Sequence, residues 1–160
     1  MTEPAALTGH WAHEARVVAV QMLYQWEVGK LSLPEVAQTF WRMGEVSPEA
    51  ADHVRVRASA LVAGTVAHVG AIDRLLEEAS TNWRLDRMPV VDRLILRLGI
   101  YELLHEASTP PAVVIDEALE LARRFSGDQA VPFVNGVLDA IKRRIERGDR
   151  GELAAGDDAS

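Results

Sequence analysis

The stretch of sequence that decides the fold is residues 90–105, VVDRLILRLGIYELLH. Wound into a helix at 100° per residue, it is apolar around most of its circumference, whereas a helix on a protein surface shows a single apolar stripe. Pro89 precedes it, and Pro110-Pro111 enforces a break behind it because proline lacks the N–H that a helix interior needs. The pattern therefore predicts a central helix surrounded by other helices.

The flanking sequence predicts further helices, because its apolar residues recur at three- and four-residue spacings and do not alternate with polar ones as in β-strands. Ser47 is the expected N-cap of a long helix that bends near Gly70. The chain is therefore predicted to be all-α. The expected ranges of the flanking helices are about 13–28, 33–43, 48–79, 111–126 and 131–147.

Length and composition predict one globular domain, because 160 residues with 48% hydrophobic and 26% charged residues can bury a single core. We expect a flexible N-terminal arm at 1–12, the helical domain at 13–147 and a disordered acidic tail at 148–160. The first 14 residues lack a basic segment followed by an apolar core, and the chain has no run of 18 apolar residues. These features predict a soluble cytoplasmic protein.

Charge and residue usage exclude several functions. The formal net charge of -7 means that any contact with nucleic acid needs a local basic patch. The absence of cysteine excludes disulfides, thiolate catalysis and cysteine-based metal centres. The five histidines form no His-Glu-x-x-His motif, and the glycines form no phosphate-binding loop. His10 and His13 lie three apart without an evident third ligand, so a surface position is favoured over a metal site. We expect no enzymatic activity, cofactor or metal.

A few residues lie off the apolar stripes and are candidates for binding. Five residues of the first helix fall opposite its stripe and predict an outward face that combines a cation, an aromatic ring and two valines. They are His13, Arg16, Val17, Val20 and Tyr24. Phe133 lies about 100° from the stripe of the last helix, where it would be only half covered. Aromatic rings stack unpaired bases, and arginine or histidine supplies charge for phosphate, so these residues could bind single-stranded RNA. The alternative is that Tyr24 and Phe133 pack against neighbouring helices.

A second candidate surface is the polar stripe Arg93, Arg97 and Tyr101 on the otherwise apolar central helix. The competing interpretation is that its arginines form salt bridges within the protein. The candidate carboxylates are Asp92, Glu102 and Asp116.

Four segments resemble the NusB family of transcription antitermination factors, in the family's order and spacing. They are ARVVAVQMLYQWE (15–27), VDRLILRLGIYEL (91–103), PAVVIDEALELARRFS (111–126) and FVNGVLDAI (133–141). The similarity covers roughly residues 14–146. It implies an all-helical fold of about seven helices in two packed three-helix bundles, in agreement with the helices predicted from periodicity.

The resemblance also implies a function. Family members bind the boxA element of nascent ribosomal RNA as single-stranded RNA together with ribosomal protein NusE, and join RNA polymerase with NusA and NusG to suppress premature termination. Arg16, Tyr24 and Phe133 match motif residues that resemble the family's RNA surface. The surface for the protein partner is expected around the central helix and the segment before it. Its candidate residues are Glu77, Glu78, Arg84, Arg93, Arg97 and Tyr101.

Two further residues of the FVNG segment are predicted to be structural. Asn135 can hydrogen-bond to backbone near the start of its helix, and Gly136 would allow close helix approach.

The chain departs from the family where the first helix begins. Typical members carry consecutive arginines there, whereas this sequence reads GHWAHEAR at 9–16 and keeps only Arg16. Each lost phosphate contact should lower the affinity for RNA and its dependence on salt. Trp11, His10 and His13 could compensate by stacking, and the histidines by their charge below about pH 6.5.

Loss of the arginines keeps a second interpretation open, in which the chain is an interaction scaffold or homodimer of the same fold with weak or lost RNA binding. A third interpretation, an RNA cytosine methyltransferase with a NusB-like domain, is disfavoured because only 13 of the 160 residues follow Arg147.

Overall fold

The computed structural model describes residues 10–43, 51–80 and 84–154, and every regular element in these ranges is helical. The all-α prediction is confirmed. Two 3₁₀ turns, Leu85–Arg87 and Asp128–Ala130, precede α5 and α7 respectively. The helices are α1 (His10–Glu27), α2 (Leu33–Met43), α3 (Ala51–Ala67), α4 (Val69–Ala79), α5 (Val90–His105), α6 (Pro111–Phe125), α7 (Val131–Arg144) and α8 (Arg150–Ala154).

The chain divides into two compact units, Met1–Gly64 and Thr65–Ser160. The first unit contains α1, α2 and most of α3. The second contains the last turn of α3 and α4 to α8. The domain that we expected at 13–147 is therefore shared between two units.

In the first unit, local signals end α1 and begin α2. A Cβ atom on Gly29 would lie 2.6 Å from the carbonyl oxygen of Gln25, so this position excludes a side chain. Lys30 follows with a φ of 58°. Ser32 and Glu35 then form a reciprocal capping box, in which each side chain accepts a hydrogen bond from the other residue's backbone N–H, both at 3.3 Å. These features place α2 where the sequence predicts it, packed against α1.

The second unit is built around α5, and the prediction of a central helix is confirmed. Its side chains from Leu94 to Ile100 are all buried, and it packs against α4, α6 and α7. Gly99 allows the close approach of α7, because a Cβ atom there would lie 3.2 Å from both terminal methyl groups of Leu138.

The predicted long third helix is interrupted two residues earlier than expected. The break falls at His68, which forms a one-residue turn between α3 and α4, and not at Gly70. The predicted cap Ser47 lies outside the described residues. No single helix in the described ranges is long and apolar enough to cross a membrane, and α3 and α4 reach that length only as a pair broken at His68.

Both predicted flexible ends need correction within the described residues. Residues 10–12, assigned to a flexible arm, are the first turn of α1. At the other end, Gly148 has a φ of 92°, which turns the chain into α8, where Leu153 is buried. This helix packs against α4 and α5. The prediction of disorder is therefore wrong for 150–154, because a single turn that buries one leucine leaves no periodic pattern.

Candidate RNA and protein interfaces

The α1 helix presents only part of the outward face that the sequence predicts. Arg16 is only 5% exposed, and Val17 and Val20 are buried beside it. The prediction is wrong for Arg16, Val17 and Val20, because the consecutive apolar residues at 17–20, VVAV, surround α1 with apolar side chains for one full turn. Burial also means that the Arg16 guanidinium is not displayed for a phosphate.

One aromatic residue of α1 does face solvent. Tyr24 is 45% exposed, and Gln21 and Val28, one turn before and after it, are exposed as well. The alternative in which Tyr24 packs against a neighbouring helix is therefore not favoured. Trp11 and His13, in the first turn of α1, are partly exposed.

Phe133 lies in the first turn of α7 and is partly buried, as its angle to the apolar stripe predicts. It belongs to the second unit, whereas the other four candidate RNA-binding residues belong to the first.

Asn135 and Gly136 do not have the structural roles predicted for them. Asn135 is exposed, and a Cβ atom on Gly136 would meet nothing within 4 Å. The reason is their position on α7, because Val134 and Val137 face the core and the two residues between them point away from it. Close helix approach in this unit depends on Gly99 instead.

The polar stripe of α5 is engaged within the second unit. Arg97 is 6% exposed and donates from Nε and Nη2 to the two carboxylate oxygens of Asp73, both at 2.8 Å. Arg93 donates from Nη1 to the carbonyl oxygen of Leu85 at 3.1 Å. The salt-bridge interpretation is thus correct in kind for Arg97, although Asp73 on α4 is outside the set of carboxylates that we considered.

The third member of the stripe, Tyr101, belongs to a cluster of near-parallel rings. His68 and His105 stack with centroids 4.1 Å apart, and Tyr101 lies 5.3 Å from His105 and 6.2 Å from His68. Sequence reasoning missed both histidines. His105 could have been found, because it continues the stripe four residues after Tyr101, but His68 belongs to a turn with no such pattern.

The remaining partner candidates differ in how accessible they are. Glu77 is exposed. Glu78 accepts a hydrogen bond from Arg144 Nη1 at 2.8 Å, which joins α4 to α7. Arg84 Nε lies 3.5 Å from Asp86 Oδ1, in an ion pair whose side chains are 76% and 69% exposed. Glu77 and Arg84 are therefore accessible to a partner, whereas Arg97 is not.

The described residues contain no group of three or more histidine, aspartate or glutamate side chains placed to hold a metal ion. The features of these residues that could bind a ligand are the exposed ring of Tyr24 on α1, the partly exposed ring of Phe133 on α7, and the exposed charges of Glu77 and Arg84 before α5.

Comparison with known proteins assigns the chain to a family. The sequence model of the NusB family matches residues 13–143. The chain belongs to the NusB family. A transcription antitermination protein NusB of Sorangium cellulosum is 45% identical over 135 residues, which cover 84% of this chain and 94% of that protein.

Solved structures of NusB proteins share the fold. The solution structure of NusB from Aquifex aeolicus has a TM-score of 0.74 and 28% identity, covering 87% of this chain and 93% of that one. A crystal structure of the antitermination factors NusB and NusE in complex with dsRNA has a TM-score of 0.68 and 28% identity, covering 83% and 96% of the two chains.

Proposed function

We propose that this NusB-family chain is a transcription antitermination factor that binds boxA-type single-stranded RNA of nascent ribosomal RNA together with ribosomal protein NusE. It helps RNA polymerase, with NusA and NusG, to read through terminators, and it acts in the cytoplasm without catalysing a reaction. Membership of the family supports this function, as does the complex of a related NusB with NusE and RNA. The observation that carries the RNA-binding part is the exposed ring of Tyr24, at a position that the sequence singles out independently.

The RNA surface that we propose lies on α1 of the first unit and consists of stacking residues more than of cations. Tyr24 and Trp11 offer aromatic rings there, and His13 adds a partly exposed imidazole. In the second unit, Phe133 is proposed by itself as a further stacking residue. Arg16 belongs to this surface as a positioning residue, because a buried guanidinium holds α1 in place and does not reach a phosphate.

The protein partner is proposed to bind beside α5. Glu77, Glu78 and Arg84 supply charges on the segment before α5, and Tyr101 supplies a partly exposed ring. Arg97 and Arg93 hold α5 to the preceding segment and so position this surface.

Binding of a fluorescent boxA-type single strand at fixed salt tests the proposal, with the protein alone and with purified NusE. A scrambled strand and a duplex of the same sequence serve as controls, since a related NusB has been seen with duplex RNA. Specific binding to the single strand that NusE strengthens is the expected result. If NusE binds while the affinity for RNA stays at the level of the scrambled strand, the chain is an interaction scaffold that has lost RNA binding.

A further inference from the structure

The second unit has a cavity between the end of α5, the beginning of α6 and the last turns of α7. Its volume is about 330 Å³, within the range of small-molecule sites, which is roughly 300–1,000 Å³. The residues that line it belong to neither the proposed RNA surface nor the proposed partner surface. They are Leu103, Pro111, Lys142, Ile145 and Glu146.

The wall of this cavity is apolar. Leu103 is buried, and Pro111 is partly exposed at the start of α6. Ile145 continues the apolar stripe of α7 four residues after Ile141, but it is partly exposed, whereas Ile141 is fully buried. Gly148 then turns the chain into α8, which packs against α4 and α5, and no described residue of α8 lines the cavity. The apolar wall is therefore open to a ligand.

Lys142 and Glu146 bring opposite charges to this apolar wall. Lys142 Nζ lies 3.7 Å from Glu146 Oε1, which is longer than a charge-assisted hydrogen bond of about 2.7–2.9 Å. Arg143, in the same turn of α7, holds Asp139 at 2.7 Å. Lys142 is therefore bound to its carboxylate less tightly than the neighbouring cation.

The exposure of the two side chains indicates which charge a ligand should carry. The side chain of Lys142 is 31% exposed, and that of Glu146 is 57% exposed. A lysine of this kind lays its methylene stem along apolar surface and keeps the ammonium group at the edge. Because a solvent-exposed ion pair contributes little to stability, an anion can replace Glu146 as the partner of Lys142 at small cost.

We propose that this cavity binds a small amphiphilic carboxylate. The apolar body of the ligand lies against Leu103, Pro111 and Ile145, and its carboxylate pairs with Lys142. The site is separate from the proposed function, because neither RNA nor a protein partner is needed to form it.

Octanoate, octanol and octylamine test the proposal, because they share one alkyl chain and differ only in the charge of the head group. Calorimetric titration of the full chain should show saturable binding of octanoate. Octanol should bind about fivefold or more weakly, and octylamine more weakly still. Hexanoate should bind about tenfold more weakly than octanoate, because two fewer methylene groups are buried.

Three variants assign the binding to this cavity. Lys142→Met keeps the apolar stem and removes the charge, so the affinity for octanoate should fall to that for octanol. Arg143→Met is the matched control, since Arg143 lies next in the chain but does not line the cavity, and it should keep the preference for octanoate. Ile145→Ala removes apolar wall and should weaken octanoate and octanol alike, by about fivefold. A melting curve confirms that each variant is folded.

The proposal is overturned if octanoate shows no saturable binding, or if octanol binds as tightly. It is also overturned if Lys142→Met keeps the preference for octanoate or if Ile145→Ala binds both probes like the wild type. None of these outcomes bears on RNA binding, which is measured separately.

Discussion

At the scale of single residues, Arg97 shows that the sequence can predict an internal ion pair without identifying its partner. Its place on an apolar helix indicates an internal partner. That partner, Asp73, lies 24 residues earlier on α4, and helix periodicity relates only residues on one helix. Tertiary packing places Asp73 against Arg97, although other carboxylates are nearer to Arg97 in the sequence.

We expect Asp73→Ala to lower the free energy of unfolding by about 2–4 kcal/mol. The variant leaves the Arg97 guanidinium buried without its bidentate carboxylate, and an uncompensated buried charge is costly. Chemical denaturation measures the change. Glu120→Ala breaks an exposed pair with Arg123 on α6 and should cost no more than about 0.5 kcal/mol. Equal losses in the two variants would mean that the Arg97 pair is no stronger than a surface pair.

Arg16→Ala should lower the free energy of unfolding by about 1–3 kcal/mol, because the side chain is buried and its removal breaks a polar or electrostatic interaction within the protein. This reverses the expectation from an outward face, which predicted weaker RNA binding with little loss of stability. Gln21→Ala on the exposed side of α1 is the control and should change stability by less than about 0.5 kcal/mol. A variant as stable as wild type that binds RNA weakly would show that Arg16 contacts the RNA directly and is not a positioning residue.

Tyr24→Ala should raise the Kd for boxA-type RNA by about fivefold or more and change stability by less than about 1 kcal/mol. The exposed ring contributes stacking and little packing. Anisotropy and a melting curve on the same sample measure the two effects. Val28→Ala truncates an exposed apolar neighbour one turn later and should leave the Kd unchanged. Equal Kd values for wild type and Tyr24→Ala would remove the observation on which RNA binding rests.

At the scale of helices, boundaries marked by proline or glycine were predictable, and those without such residues were not. Pro111 begins α6, and Gly29 and Ser32 separate α1 from α2. The turn at His68 has neither signal. The exposed side of α1 was also predicted wrongly, because a helix that is covered on several sides has an apolar stripe and further apolar residues beside it.

Contact between α5 and α7 supplies a test at this scale. Gly99→Val should lower the free energy of unfolding by about 1–3 kcal/mol, because a branched side chain would collide with Leu138. Thermal unfolding measures the change. Gly136→Val introduces the same side chain into open space on α7 and should cost little or nothing. A stable Gly99→Val variant would show that Leu138 can move aside.

At the scale of the whole molecule, the all-helical class and the family segments were predictable because they depend on patterns spread over the chain. The candidate RNA surface was less predictable from the sequence. Whether Arg16 is exposed depends on which elements cover α1, and helix periodicity does not show this. The division at Gly64 has no composition shift to mark it.

Whole-molecule charge predicts a weak response to salt. With a net charge of -7, no run of arginines at the start of α1 and a buried Arg16, the protein should neutralise about two phosphates or fewer. At about -0.7 per phosphate of a single strand, the slope of log K against log salt should be about -1.4 or shallower. Titrations at several salt concentrations measure it, with an arginine-rich relative in parallel. An equally steep slope for both proteins would reveal a basic surface elsewhere.

The short helix α8 has a practical consequence for protein engineering. Because Leu153 is buried where α8 meets α4 and α5, trimming the chain at Gly148 would uncover apolar surface on the central helix of the second unit. Exposed apolar surface of this kind promotes self-association. Expression boundaries and fluorescent fusions are therefore best placed after Ala154. The segment 150–154, which composition alone would assign to a disordered tail, then continues to cover this apolar surface.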